Sequence, residues 1–293
     1  MSQRHVGIAL AMLSAVMLGL AVAVARFAYE GGTNGLTVAT LRSLLAVAWL
    51  AAFCLATGRS LRPPPGLYPH LFGLGLLMVM MFYGNIGAVE FISIPLAALL
   101  FFTFPPFIAL INGLVLRLPV GPVRYAAVAI AFGGIALMLG AAFAADIDLR
   151  GVALVMAASV ATAINGVWMG QRVAGRIDTW VATLHMAAVA CAAMLVIALA
   201  TGALVPPVTA GGWAGMFGVA VMQAAGFPLY YLAIVRIGAL NCAMYGNVQP
   251  VASIVAGFAF FGDLLSGTQF LGGALVLAGI LLLQWQDRRE VAV

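Results

Sequence analysis

The sequence predicts an all-α, polytopic membrane protein with ten transmembrane helices, built as two inverted five-helix repeats. Three observations carry this. First, 65% of the 293 residues are hydrophobic and only 7% are charged. An ordinary soluble domain carries roughly 25% charge, and so few charges could not cover a soluble surface. Second, the chain reads as ten apolar runs, and a helix needs about 20 apolar residues to cross a bilayer. Third, the chain repeats itself. Sliding it by 145 residues lays Pro95–Met138 on Leu240–Leu283 without a gap, with Pro105 on Pro250, Gly134 on Gly279, Ile135 on Ile280 and Leu137 on Leu282. An offset near half the length is what a duplicated chain shows.

The ten runs fall at 6–26, 36–57, 68–89, 94–116, 125–142, 151–170, 179–201, 212–235, 239–262 and 268–285. Turn chemistry separates them: Gly31-Gly32-Thr33-Asn34, Pro63-Pro64-Pro65-Gly66, Pro119-Val120-Gly121-Pro122, Pro206-Pro207 and Ser266-Gly267. The first run is read as a retained helix. Arg4 precedes it and Ala21-Val22-Ala23 resembles a cleavage site, but its apolar part is too long for a signal core. The cysteines Cys54, Cys191 and Cys242 are dispersed in apolar runs and read as buried thiols. No metal site or cofactor motif is expected.

All 13 basic residues are Arg. Ten spans return both termini to one side, and that side receives Arg4, Arg59, Arg62, Arg117, Arg124, Arg172, Arg176, Arg236, Arg288 and Arg289. The other receives only Arg26 and Arg150, with Glu30, Glu90, Asp146, Asp148 and Asp263. The positive-inside rule then makes both termini cytoplasmic. The net charge of +5 reports orientation in the membrane rather than a nucleic-acid partner. The repeats are expected at 1–145 and 146–293. Because five spans is an odd number, the second copy enters the membrane upside down, an architecture that secondary transporters use for alternating access with a site near midplane.

These features resemble the drug/metabolite transporter superfamily, specifically the EamA-type ten-helix exporters and among them the YddG-type amino-acid exporters. The resemblance covers nearly the whole chain. It is clearest in Phe261-Gly262-Asp263, then Gln269-Phe270-Leu271-Gly272-Gly273-Ala274 and Gly279-Ile280, and Arg42, Pro105 and Pro250 fit it. Two places depart: Arg117-Leu118 stands where the first half would carry its Gly-acidic pair, and Gly19-Leu20-Ala21 where many members carry a Trp-Gly-Ser-like turn. The resemblance implies export of small organic solutes across a bacterial inner membrane, with neutral and aromatic amino acids as the substrate class.

Polar and aromatic residues at mid-depth are the candidates for the site, because amide side chains in hydrocarbon must face a partner or a wet cavity. They are Tyr83 and Asn85 in the third span, Asn165 and Trp168 in the sixth, His185 in the seventh, and Tyr245, Asn247 and Gln249 in the ninth; Phe101, Phe102 and Thr103 in the fourth and Gln223, Tyr230 and Tyr231 in the eighth share this depth and complete a partly aromatic, neutral polar group. Tyr245 and Gln249, at i and i+4, are expected to share a face. Each candidate has a plainer alternative: helix-to-helix hydrogen bonding for the amides and His185, and an interfacial belt for Trp168. Pro105 and Pro250 each remove a backbone donor at mid-span and predict a paired bend. Arg42 lies about 9 Å from the outer end at helical rise. It is expected to snorkel outward or pair with a loop carbonyl, with a substrate carboxylate as the alternative. Glu90 and Asp263 fall at outer ends, as solvated or capping groups, so no carboxylate sits mid-span to couple a cation.

The resulting expectation is a transporter whose partners are a small-molecule substrate (amino acids or related metabolites) and membrane lipids, compatible with a monomer. A drug or cationic-metabolite exporter is the alternative, weakened by the lack of a mid-span carboxylate. An intramembrane enzyme is disfavoured: the chain has no Gly-x-Ser-x-Gly elbow, no His-Glu-x-x-His helix and no paired aspartates inside spans.

Overall fold

Apolar sequence with few breaks can satisfy its backbone in a bilayer only as helix, and helix is what forms. A computed structural model describes residues 3–116, 122–144, 147–246 and 248–291. Its helices are α1 (Gln3–Glu30), α2 (Gly35–Ala56), α3 (Tyr68–Gly87), α4 (Ile94–Phe101), α5 (Phe104–Leu110), α6 (Pro122–Ala144), α7 (Leu149–Arg172), α8 (Thr179–Thr201), α9 (Ala210–Tyr245), α10 (Val248–Phe261) and α11 (Gly267–Val291). Among the described residues, seven stretches are long and apolar enough to cross a membrane; the shorter apolar helices Val251–Phe261 and Phe270–Gly279, with α6, complete ten passes. The expected repeat boundary at 145/146 lies outside the described residues.

Local chemistry sets the ends. The Asn34 side chain caps α2 by accepting from the Thr37 N–H at 2.8 Å, and Glu90 accepts from the Gly35 N–H at 2.8 Å. Asp178 accepts from the Trp180 and Val181 N–H groups to start α8. Asp148 starts α7, and hydrogen bonds from Arg150 hold its carboxyl below the usual carboxylate range. Gly238, at φ 77°, takes a left-handed conformation that ends the eighth pass inside α9.

The fourth and ninth passes are each interrupted by a short turn beside the prolines at which the sequence predicts a paired bend. The fourth breaks at Phe102–Thr103, directly before Phe104-Pro105-Pro106. Two adjacent prolines withhold two N–H groups, so the helix restarts with Pro in its first turn, where a missing donor costs nothing. The ninth stops at Tyr245 and restarts at Val248, with Pro250 in the first turn of α10. Residues 102 and 103 shifted by 145 become 247 and 248, and Val248 opens α10, so the fourth helices of the two repeats are interrupted within about two residues of equivalent positions. The break also corrects the expected shared face of Tyr245 and Gln249, which stand on different helical segments.

Packing follows the same pseudo-twofold. On α6, a Cβ at Gly134 would lie 2.5 Å from the Gly272 carbonyl oxygen and 2.9 Å from Val276 N; on α11, one at Gly279 would lie 2.6 Å from the Ala127 carbonyl oxygen and 2.9 Å from Ala131 N. These two contacts interchange under the 145-residue shift. Glycine here lets two backbones touch, the source of helix cohesion where lipid removes the hydrophobic driving force. Ser14 Oγ donates to the Gly226 carbonyl and Ser253 Oγ to the Gly19 carbonyl, joining α1 to α9 and α10.

Two ends can be named by their contacts. At the Asp263 end, Val208 N donates to the Gly31 carbonyl and Thr33 Oγ1 to the Val205 carbonyl. At the Arg59 end, Arg59 pairs with Asp178 at 3.3 Å and His185 Nε2 meets the Leu61 carbonyl at 2.7 Å.

Candidate functional site

Both helix breaks border one cavity in the bundle centre. Its lining is Leu18, Met81, Asn85, Phe101, Phe104, Thr162, Gln223, Phe227, Tyr230 and Gln249. The pseudo-twofold passes through it: Asn85 shifts onto Tyr230, and Phe104 onto Gln249. The site is therefore symmetric in position but mixed in chemistry, with an amide facing a ring in each pair. Its free volume is about 40 Å³, room for a few waters and no organic solute. Among its described lining residues none is Asp, Glu, His, Lys or Arg, so polar contact comes from amides, a hydroxyl and a phenol.

A larger cavity lies on either side. The one at the Asp263 end holds about 520 Å³ and is lined by Arg26, Tyr29, Glu30, Val89, Glu90, Phe91, Ile92, Ser93 and Asp263. The one at the Arg59 end holds about 450 Å³ and is lined by Ile108, Asn112, Gly166, Val167, Gly170, Gln171, Ala174, Gly175, Ile234, Val235 and Gly238. They are repeat-related. Arg26, Tyr29, Glu30, Val89, Glu90 and Ser93 shift onto Gln171, Ala174, Gly175, Ile234, Val235 and Gly238. One mouth is ionic and the other neutral and glycine-rich.

The two mouths also differ in depth. Gly166, Val167 and Gly170 face the Arg59-end cavity, whereas their mates Ala21, Val22 and Ala25 are 0–2% exposed and buried in the bundle. The Arg59-end cavity also continues the line of the central one: Phe104 and Ile108 on α5, Thr162 and Gly166 on α7, Tyr230 and Ile234 on α9 are each one turn apart. The bundle is thus closed at the Asp263 end and opened toward the centre from the Arg59 end.

An ion pair fastens the closed end. Gly262, at φ 67°, ends α10 in a left-handed turn and sets Asp263 against α1. Arg26 Nη1 donates to both Asp263 oxygens at 2.9 Å, and Ile94 N donates to Oδ2 at 3.4 Å. Arg26 also lies 4.6 Å from the Phe261 ring centroid. Three passes are tied by one carboxylate.

Of the residues singled out from sequence, Asn85, Phe101, Gln223, Tyr230 and Gln249 line the central cavity. The others lie elsewhere, for packing reasons. Asn165 donates to the Leu74 carbonyl at 3.2 Å and accepts from Tyr231 at 2.8 Å, which joins α7 to α3 and α9. Trp168 Nε1 donates to His70 Nδ1 at 3.1 Å, its ring filling the space over Gly73. His185 holds the Leu61 loop rather than a neighbouring helix. Tyr83 packs over Gly35 and Gly87 near the α2–α3 ends. Tyr245 is half-buried against the core of α3, α7 and α8. Asn247 lies outside the described residues. Pro105 is buried in the α5 first turn. The backbone of Pro250 belongs to the α10 first turn. Arg42 does not snorkel. It is 1% exposed, and Nη2 donates to the Phe82 carbonyl at 2.6 Å.

Sequence reasoning missed Leu18, Met81, Phe104, Thr162 and Phe227. The repeat offset was the available signal for one of them: applied to Gln249, it returns Phe104.

A ten-pass bundle of two inverted repeats, with a neutral cavity on its pseudo-twofold and a mouth at each end, defines a membrane transporter. The chain belongs to the EamA-like transporter family, whose model matches residues 5–140 and 149–285. It is similar to an uncharacterized transporter of Archaeoglobus fulgidus, 25% identical over 292 residues, covering 96% of this chain and 97% of that one. A protein crystal structure with 20% identity shares the fold, with a TM-score of 0.68 over 95% of this chain and 98% of the other.

Proposed function

We propose that the protein exports small organic solutes, neutral and aromatic amino acids foremost, by alternating access between its two repeats. The observation that carries this reading is the exchange symmetry of the three cavities: a central site on the pseudo-twofold, flanked by mouths built from equivalent residues. If the repeats swap conformations, the Arg59-end mouth closes and the Asp263-end mouth opens on the same site. The Arg distribution supports a cytoplasmic Arg59 end, in the bacterial inner membrane that this reading assigns to the protein. In the present conformation the cytoplasmic mouth leads toward the site, which must widen to take a solute.

Chemistry supports the substrate class. Phe101, Phe104, Phe227 and Tyr230 offer aromatic surface, and Asn85, Gln223 and Gln249 offer fixed dipoles. A cationic drug would meet no carboxylate among the described lining residues. The test is counterflow in proteoliposomes of purified protein, loaded with a panel of amino acids. Saturable counterflow that is strongest for aromatic and neutral members supports the proposal. Flux that neither saturates nor shows counterflow overturns it in favour of a channel.

A further inference from the structure

Among the described residues, three buried side-chain polar atoms have no hydrogen-bond partner: Arg42 Nε, Arg42 Nη1 and Asn85 Oδ1. A native interior keeps such atoms paired, so an orphan in a transporter core marks where a ligand atom belongs. The first two belong to a guanidinium packed on Phe82. Arg42 donates to the Phe82 carbonyl and its guanidinium lies 4.8 Å from the Phe82 ring centroid. Asn85 is one turn further along α3 and lines the central cavity. The Phe82 ring packs on that of Phe227 at 5.1 Å between centroids. Phe227 is its mate under the 145-residue shift and is itself a cavity wall. A single ring thus screens the guanidinium from the cavity.

Arg42 is also a charge out of place. It is always protonated, buried at 1% exposure, and paired with no carboxylate among the described residues. Isolated buried charge is costly, and the ring face of Phe82 and one carbonyl meet only part of the need. Its repeat mate is Ala187, so the charge is confined to one repeat. Tyr29, whose hydroxyl donates to the Ile86 carbonyl at 2.7 Å, lies within electrostatic reach of it and lines the Asp263-end mouth. Arg42 therefore stands between the central cavity and the mouth that is closed here.

The geometry points to a headgroup site for zwitterionic α-amino acids: Arg42 Nε and Nη1 take the carboxylate and Asn85 Oδ1 accepts from the ammonium, with Phe82 swinging aside to admit them. A guanidinium fork suits a carboxylate, and one orphan acceptor beside two orphan donors suits a ligand with both charges on adjacent atoms. This rests on the amino-acid reading above and adds the residues that recognise the common headgroup.

The test compares three solutes in counterflow with the full-length protein in proteoliposomes: L-phenylalanine, L-phenylalaninamide, which lacks the carboxylate, and phenylpyruvate, which lacks the ammonium. The wild type should prefer phenylalanine over each by on the order of tenfold or more. Arg42→Gln should bring the phenylalanine-to-amide ratio near one, and Asn85→Leu the phenylalanine-to-phenylpyruvate ratio. Each ratio is internal to one preparation, so partial unfolding does not imitate the effect. If Arg42→Gln transports nothing, the ratio is read on Arg42→Lys, where a point charge should lower it without abolishing it. An unchanged ratio in the active Arg42 variant overturns the assignment. A wild type that moves none of the three solutes sinks the amino-acid reading itself, and one that moves all three equally sinks only the headgroup site.

Discussion

Neutralising Asp263 should unfasten the closed end. In Asp263→Asn the single amide oxygen can still accept a hydrogen bond, but the ion pair with Arg26 and its second acceptor oxygen are lost. A hydrogen bond to a charged group is worth about 1.5–3 kcal/mol. The Arg26 side chain is 33% exposed and that of Asp263 12%, so solvent screening pulls the figure to about 1–1.5 kcal/mol. That corresponds to a shift of roughly five- to tenfold in the ratio of Asp263-end-closed to Asp263-end-open molecules. The sign is fixed: the contact exists only when this end is closed, so its loss populates the open form. Spin labels at the exposed positions Glu30 and Leu264 would report the change as a longer distance in pulsed electron resonance. The charge swap Arg26→Asp with Asp263→Arg should recover part of the short-distance population. Identical distance distributions for wild type and Asp263→Asn at low salt would refute the latch.

Four further outcomes follow from the packing and the cavity. Gly134→Ala places a methyl against the Gly272 carbonyl and should cost about 1–3 kcal/mol of stability, read as a lower Tm. Gly133→Ala, with nothing within 4 Å of its Cβ, should leave Tm unchanged or raise it. Gln249→Ala should raise KM for every amino-acid substrate with little change in Tm. Trp168→Ala and Tyr83→Ala, which pack away from the cavity, should lower Tm and leave KM alone; a substrate-selective KM change in either would return them to the site. Because no carboxylate or histidine is among the described residues of the central cavity, collapsing the transmembrane proton gradient should leave amino-acid counterflow unaltered.

Composition and Arg placement made the class and the count of passes legible, because the bilayer leaves so few ways to satisfy a backbone. The 145-residue offset carried more than the repeat. Applied residue by residue, it pairs the glycines of α6 and α11, the two breaks and the two mouths. Neighbour identity was what sequence could not supply. Asn165 and Asn85 read alike as mid-span amides, yet one is satisfied by Leu74 and Tyr231 while the other faces a cavity. From its depth Arg42 read as snorkelling or pairing with a loop carbonyl, with a substrate carboxylate as the alternative; only packing shows that it turns inward and that the carbonyl it meets is that of Phe82, inside α3. Gly246 and Asn247 gave no warning that Tyr245 and Gln249 would part, although the proline four residues on from Gly246 left that carbonyl without its helical donor.

The account stands on one site served alternately from two mouths, and a reversible lock on one mouth tests it. Arg26 and Asp263, both replaced by cysteine in a background without Cys54, Cys191 and Cys242, should form a disulfide that holds the Asp263 end shut. A second set of molecules would carry a reporter cysteine at Gln249. Oxidation is expected to abolish counterflow and reduction to restore it. The Gln249 reporter should stay reachable by an impermeant thiol reagent from the Arg59 end alone. Undiminished counterflow in fully cross-linked protein would contradict the account.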